Sequence, residues 1–69
     1  MQKLSRAGAG EYTVKWIFDE TEVVNLLKEI DIEVGRKVSV ISNMFGGMVV
    51  RSDKGKYAID PELLLGVTV

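Results

Sequence analysis

The side chains of this chain that could bind a metal ion are carboxylates, because the sequence contains no histidine and no cysteine. Glu29, Asp31 and Glu33 occupy alternate positions, and a second acidic group (Asp19, Glu20 and Glu22) precedes them. Sites built from oxygen ligands alone suit Mg²⁺, Ca²⁺ or Mn²⁺, whereas Fe²⁺ and Zn²⁺ sites usually include histidine. We favour a helix start for the earlier group and a solvated helix end for the later one, and we expect no metal and no other cofactor.

The residue types present in this chain give little support for a catalytic function. The serines have no histidine to activate them, and nucleophilic catalysis needs a base beside the nucleophile. Lys37 lies two positions before Ser39 on a predicted strand, but side chains two apart share a strand face in any protein. The absence of cysteine also excludes thiolate sites and disulfides. We therefore expect no catalytic residues and predict a binding protein rather than an enzyme.

Three large apolar residues are candidates for contact with a partner protein. Met44 and Phe45 precede Gly46 and Gly47 in the stretch "NMFGG", which predicts a loop. Apolar side chains on a loop often contact a partner, although Phe45 would instead cover one end of the core if it folded back. Trp16 is a natural interface anchor if it points outward and the largest core residue if it points inward.

Length and charge limit the class of protein. A 69-residue chain forms one small domain that hides only about 60% of its unfolded surface. The net charge is −1, and the basic residues are scattered apart from Arg36–Lys37 and the pair Lys54 and Lys56. Nucleic-acid binding normally needs a concentrated positive face, so we expect no nucleic-acid partner and keep a nucleic-acid-binding barrel as the third hypothesis.

The sequence also predicts the location and the domain organisation. No apolar run approaches the ~20 residues of a membrane helix, and the start lacks the apolar region of a signal peptide. We expect a cytoplasmic protein that does not insert into a membrane. Residues 1–69 are predicted as a single domain, with a loosely ordered segment over residues 1–10.

The first predicted strand covers residues 11–18, "EYTVKWIF", which are rich in β-branched and aromatic residues. Strict alternation would place Tyr12, Val14, Trp16 and Phe18 on one face. A bulge would instead place Val14 and Ile17 inward and turn Trp16 outward.

A helix is predicted over about residues 20–30. Asp19 and Glu22 have the spacing of a capping box. An apolar stripe follows, formed by Val23, Leu26, Leu27 and Ile30. A helix this short is marginal alone and must pack against a sheet.

After Gly35, which provides a turn with positive φ, the pattern changes to alternation. Strands are predicted from residue 38 to about 42, over 48–51, over 57–59 and over 67–69, with a hairpin turn in "SDKGK" at Gly55. An aspartate followed by proline is typical of a helix start, so Asp60 and Pro61 predict a helical turn near residues 61–65. About five short strands with one inserted α-helix predict a mainly β fold, a small barrel that avoids exposed edges.

The unit "LLKEIDIEVGRKVSV" resembles the FeoA family, small cytoplasmic proteins of bacterial ferrous iron uptake. The residues that match the pattern of the family are Leu27, Ile30, Ile32, Gly35, Val38 and Val40. "MFGGMVVR" is similar to the family's glycine-pair loop, and "GKYAIDPELLLGVTV" is similar to its closing segment. The family often has glycine at the position of Asp31, proline at those of Val34 and Met44, and a small residue at that of Leu64. Asp31 adopts a left-handed conformation more readily than most residues.

The resemblance implies an SH3-like barrel whose first strand has Val14 and Ile17 inward and Trp16 outward. It implies an adaptor that binds the cytoplasmic GTP-hydrolysing domain of the FeoB-type membrane iron permease. The same module forms a domain of metal-dependent repressors, and the family is often labelled as binding transition metals, so Fe²⁺ association is a second hypothesis with Glu29, Asp31 and Glu33 as weak candidates. Trp16, Met44 and Phe45 are the candidate protein contacts.

Overall fold

The computed structural model describes residues 2–44 and 47–69. These residues form six strands, one α-helix and two short 3₁₀ helices. In chain order they are a 3₁₀ helix Leu4–Arg6, β1 Gly10–Thr13, β2 Trp16–Ile17, α1 Thr21–Glu29, β3 Lys37–Met44, β4 Gly47–Ser52, β5 Gly55–Ile59, a 3₁₀ helix Pro61–Leu64 and β6 Val67–Thr68. The predicted mainly β fold with one helix and a late helical turn is confirmed.

The strands form two antiparallel sheets. One sheet has the order β1-β3-β4-β5 and the other pairs β2 with β6. A two-residue turn, Asp53 and Lys54, joins β4 to β5, as the composition of that stretch predicted. No helix among the described residues is long and apolar enough to span a membrane.

The predicted first strand is two strands, because the chain changes partners in its middle. Val14 donates its N–H to the Arg36 carbonyl at 2.9 Å, and Lys15 donates to the Thr68 carbonyl of the other sheet at 2.7 Å. Val14 is buried and Ile17 packs on the core, whereas Phe18 is 73% exposed. Strict alternation is therefore wrong, and the alternative with Val14 and Ile17 inward is confirmed.

The helix α1 forms where its pattern predicted, but its start and its buried face differ. Glu20 is the residue that precedes the first turn and makes no side-chain cap, while Asp19 accepts from the Glu20 N–H at 2.8 Å. The predicted capping box is therefore wrong, since the helix begins one residue later than that box requires. Of the predicted stripe only Leu27 is fully buried, and Leu26 is 45% exposed.

Residues 2–10, which belong to the segment predicted to be loosely ordered, pack against the folded body. Leu4 and Ala7 have no exposed surface, and the backbone of Gln2 pairs with that of Val69 in both directions. The Asn43 side-chain amide donates to the carbonyls of Ser5 and Ala7 at 3.1 and 2.9 Å. Two apolar residues one helical turn apart cover one end of the core, and this burial orders the segment.

The second half of the chain follows its predicted pattern closely. Asp60 accepts from the Glu62 N–H at 3.0 Å and Pro61 opens the 3₁₀ helix, as their residue types predicted. The strand β3 runs further than expected, so Asn43 and Met44 extend the ladder opposite Met48 and Gly47. The core draws one or more residues from most elements, namely Leu4, Ala7, Val14, Leu27, Ile32, Val38, Val40, Met48, Val50, Ile59, Leu64, Val67 and Val69.

Candidate protein-docking site

The side chain of Trp16 lines a groove between β2 and α1 and is largely exposed. Because the chain turns at Val14 to join the second sheet, the next residue but one faces outward, and Trp16 is 62% exposed. Most tryptophans bury much of their surface. An indole this exposed on a short, paired strand is therefore an informative feature of the surface.

We call the cavity beside this side chain the Trp16 groove. It is open to solvent on one side and has a volume of about 240 Å³. Its walls come from β2, from α1 and from the segment that follows α1. The lining residues are Trp16, Ile17, Val24, Lys28, Glu33 and Val34. Four of these are apolar and two are oppositely charged, which is the composition expected of a site that accepts an apolar side chain and orients its polar neighbours.

The end of α1 sets the helical wall of the groove. The Ile32 N–H donates to the Leu27 carbonyl at 2.9 Å and the Asp31 N–H donates to the Lys28 carbonyl at 3.0 Å. This is the Schellman arrangement, in which the residue after the cap is left-handed, and Asp31 has φ +64°. Leu27 and Ile32 are both buried, which supplies the apolar contact that accompanies this motif. Glycine is usual at such a position, and aspartate is one of the few residues that replaces it.

The segment between α1 and β3 is stabilised by an ion pair within it and by a backbone hydrogen bond to Val14. Asp31 lies 3.6 Å from the Arg36 guanidinium, and Gly35, at φ +89°, donates its N–H to the Val14 carbonyl at 2.8 Å. The second contact joins the segment to the point where β1 gives way to β2. The two walls of the groove are therefore connected by backbone hydrogen bonds.

The other candidate contact residues do not lie at this groove. Met44, at the end of β3, is 73% exposed and is not among the lining residues. Phe45 and Gly46 lie outside the described residues. Gly47 was expected in a turn but is the first residue of β4. Gly55 directly follows the two-residue hairpin turn, and its own φ is +143°.

The three carboxylates considered as metal ligands are not brought together. Asp31 is buried against Arg36, Glu33 lies in the wall of the groove, and Glu29 is exposed at the end of α1. Within residues 2–44 and 47–69 there is no group of three or more acidic side chains arranged to hold a metal ion.

Sequence reasoning missed Val24, Lys28 and Val34 as groove residues. Val24 lies just outside the stripe predicted to face the core, and Val34 is an apolar residue in a turn that is 55% exposed. An exposed valine beside a glycine turn was a usable signal, since turns favour polar residues. Lys28 carried none, because a lysine on the outer face of a helix is ordinary.

No family model matches the chain, and neither does any curated protein. Among solved structures it is similar to the crystal structure of an iron uptake regulatory protein, FeoA, with 20% identity and a TM-score of 0.88, over 96% of this chain and 91% of that one. It is also similar to the solution structure of a FeoA protein from Chlorobium tepidum, with 22% identity and a TM-score of 0.78, over 97% of this chain and 67% of that one.

Two longer proteins contain a part of the same fold. A manganese-dependent transcriptional repressor matches 96% of this chain with a TM-score of 0.82 and 14% identity, and ScaR with bound Zn²⁺ matches 97% with a TM-score of 0.84 and 13% identity. This chain spans 39% and 35% of their lengths, so the likeness is to one part of each protein. The six strands and the α-helix of the described residues, with the overlap along nearly the whole chain, show that this protein has the SH3-like fold of FeoA proteins.

Proposed function

We propose that this protein is a non-enzymatic accessory component of ferrous iron uptake. It binds through the Trp16 groove to the cytoplasmic GTP-hydrolysing domain of a FeoB-type iron permease. The observation that carries the proposal is the exposed indole of Trp16 beside an open apolar groove. The likeness to an iron uptake regulatory protein along nearly the whole of both chains supports the connection with iron.

The groove has the composition of an interface centre. Tryptophan is enriched among the residues that contribute most to binding energy, especially where neighbouring contacts exclude water. Val24 and Val34 provide apolar walls, and Lys28 and Glu33 provide a charged rim. A partner side chain that enters the groove buries apolar surface, while the two rim charges orient it. Met44 is a second candidate contact outside the groove.

A titration of the ¹⁵N-labelled protein with the soluble GTP-hydrolysing domain tests the proposal. We expect amide shifts concentrated at residues that line the Trp16 groove. Trp16→Ala should weaken binding by about 30-fold, the effect of losing an interface residue worth roughly 2 kcal/mol. Phe18→Ala is the matched control, because Phe18 is also an exposed aromatic residue but does not line the groove. Spectra that do not change when the partner domain is in large excess would contradict the proposal. Equal losses of affinity in Trp16→Ala and Phe18→Ala would also contradict it.

A second candidate function is direct metal binding of the kind found in metal-dependent repressors, which the likeness to ScaR and to a manganese-dependent repressor favours. Glu29, Asp31 and Glu33 would supply oxygen ligands only after a rearrangement, because these three carboxylates are not grouped in the described residues. An ion at Asp31 would first have to displace Arg36, which lies 3.6 Å away.

An anaerobic titration with Fe²⁺ or Mn²⁺, followed by amide shifts, tests this second function. A saturable response below about 1 mM would support it. Asp31→Asn is the variant to compare, because asparagine also accepts the left-handed backbone and removes only the charge. A response that Asp31→Asn leaves unchanged would exclude the site at residues 29–33.

A further inference from the structure

The outer face of the four-stranded sheet carries a row of three charged residues and one serine that the Trp16 groove does not use. Val38 and Val40 of β3 and Val50 of β4 are buried, so the residues between and beside them face the other way. Glu11, Ser39, Arg51 and Lys56 lie side by side across β1, β3, β4 and β5. We call these four residues the charged row.

Two cations in this row lie directly opposite each other without a carboxylate partner. Arg51 pairs in register with Lys56, and both side chains are exposed. The ion pairs of the described residues are Arg36 with Asp31 and Lys37 with Glu11, so neither cation of this pair is neutralised. Like charges directly opposite each other on neighbouring strands repel. An anion that contacts both would remove that repulsion.

A second row, which is apolar, runs beside the charged row. Val49 and Ala58 are cross-strand partners on β4 and β5. They lie two positions from Arg51 and Lys56 along the same strands, about 6.7 Å away. Ile41, at the irregularity in β3, is an exposed apolar residue on the neighbouring strand. The face therefore presents positive charge and apolar surface as two adjacent parallel rows.

We infer that this face docks an amphipathic helix of a partner protein, with acidic side chains over Arg51 and Lys56 and apolar side chains over Val49 and Ala58. Both rows run across the strands, which are spaced by about 4.8 Å. A helix lying in that direction presents one side chain per turn at about 5.4 Å, close to the strand spacing. An extended segment repeats its same-face side chains at about 6.7 Å and matches the row less well.

The arrangement favours a protein over a nucleic acid. Proteins that bind DNA through its backbone commonly make about 6–10 phosphate contacts, whereas this row offers the two cations Arg51 and Lys56. Glu11, at the other end of the row, is paired with Lys37, so that end adds no unpaired positive charge for phosphate groups. The apolar row also suits leucine-type side chains better than a sugar–phosphate backbone. Since the face belongs to a different sheet from Trp16, it is a second surface and does not depend on the proposed iron-uptake role.

The probe for this test is a capped peptide of about 18 residues, long enough to form a helix in isolation, with glutamates on one helical stripe and leucines on the adjacent stripe. Titrated into ¹⁵N-labelled full-length protein, it should shift the amides of Ser39, Val49, Arg51, Lys56 and Ala58. The double variant Arg51→Gln with Lys56→Gln should bind about tenfold more weakly, the effect of two exposed charge contacts. Thermal melts should show that the variant remains folded.

The matched control is Lys3→Gln with Lys15→Gln, which removes the same charge from exposed positions beside the other sheet. It should change the affinity by less than about twofold. Equal losses in the two double variants would overturn the inference in favour of unspecific charge attraction. Shifts confined to Trp16, Val24 and Val34 would overturn it in favour of the groove. A DNA duplex or an anionic lipid vesicle that bound more tightly through Arg51 and Lys56 would overturn the choice of a protein helix.

Discussion

The Trp16 groove and the outer face of the four-stranded sheet differ in how their residues are brought together. The groove joins residues 16–17 to residues 24–34, and its walls meet through hydrogen bonds between Val14 and the segment around Gly35. The sheet face uses strands paired in register, and β4 and β5, which carry Arg51 and Lys56, are joined by a two-residue turn. One surface depends on how separate elements pack, and the other on local pairing.

The difference also concerns the kind of contact that each surface offers. The groove is concave and has a protruding indole, so it offers shape and apolar burial. The sheet face offers unpaired positive charge beside a shallow apolar row. Burial of an apolar anchor sets the lifetime of a complex, whereas exposed charges mainly affect the association rate and are screened by salt.

Removing the anchor of α1 should have the largest effect on the molecule. Leu27 is the fully buried residue of this helix, and Leu27→Ala should lower the free energy of unfolding by about 2–5 kcal/mol. Leu26→Ala on the next residue, which is exposed, should change it by less than about 0.5 kcal/mol. Urea unfolding measures both, and similar costs would mean that α1 is not held by a single residue.

A methyl group at Gly66 should disturb the groove while leaving the sheet face intact. A Cβ there would overlap the backbone carbonyl of Phe18, and backbone cannot be relieved by a rotamer change. We expect Gly66→Ala to cost about 1–3 kcal/mol and to shift the amides of residues 16–18 more than those of β4 and β5. Gly8→Ala, which meets nothing within 4 Å, is the control. Shifts spread evenly over both sheets would show that the two surfaces are not independent.

One side chain connects the two regions and tests how tightly they are coupled. The Ser52 hydroxyl of β4 donates to the Ile30 carbonyl at the end of α1 at 2.6 Å and accepts from the Lys54 N–H at 3.2 Å. Ser52→Ala should cost about 1–2 kcal/mol, because it leaves a carbonyl without its donor. Hydrogen exchange should speed up at Ile30 and Lys54. If exchange changed at Lys54 alone, the hairpin and the helix would be independent.

Reversing one charge should have the smallest effect on stability and should separate stability from binding on the sheet face. Lys56→Glu places opposite charges across from each other at Arg51, which should raise the free energy of unfolding by about 0.2–1 kcal/mol. The same substitution should weaken the binding of the acidic helical peptide to the sheet face. It should leave partner binding at the Trp16 groove unchanged. A thermal melt and the two titrations distinguish these outcomes.

Much of the fold followed from local patterns. The alternation around Val38 and Val40, the cap formed by Asp60 and the positive φ at Gly35 were predicted and are present in the structure. Burial followed these local patterns less closely. Leu26 has the spacing of a core residue and is exposed, while Leu4 and Ala7 in the segment predicted to be loose are fully buried.

The candidate site was predicted only in part. Trp16 stood out by residue type, but two orientations fitted its strand, and the hydrogen bonds of Val14 and Lys15 to different sheets decided between them. Val24 and Val34 could not be connected to Trp16 from their spacing. Their proximity depends on the chain reversal at Asp31 and Gly35 and on the packing of Leu27 and Ile32.

The sequence by itself determined where the helix and most of the strands lie and which positions accept a left-handed backbone. It also determined that histidine and cysteine, two common catalytic residue types, are missing. These features depend on interactions within a few residues, whose periodicity and conformational preferences are written in the chain. The tertiary structure alone decided that Trp16 faces solvent, that a groove lies beside it and that Val24 and Val34 line this groove. Burial and pairing depend on elements distant in the chain, and local preferences do not specify which of those elements meet.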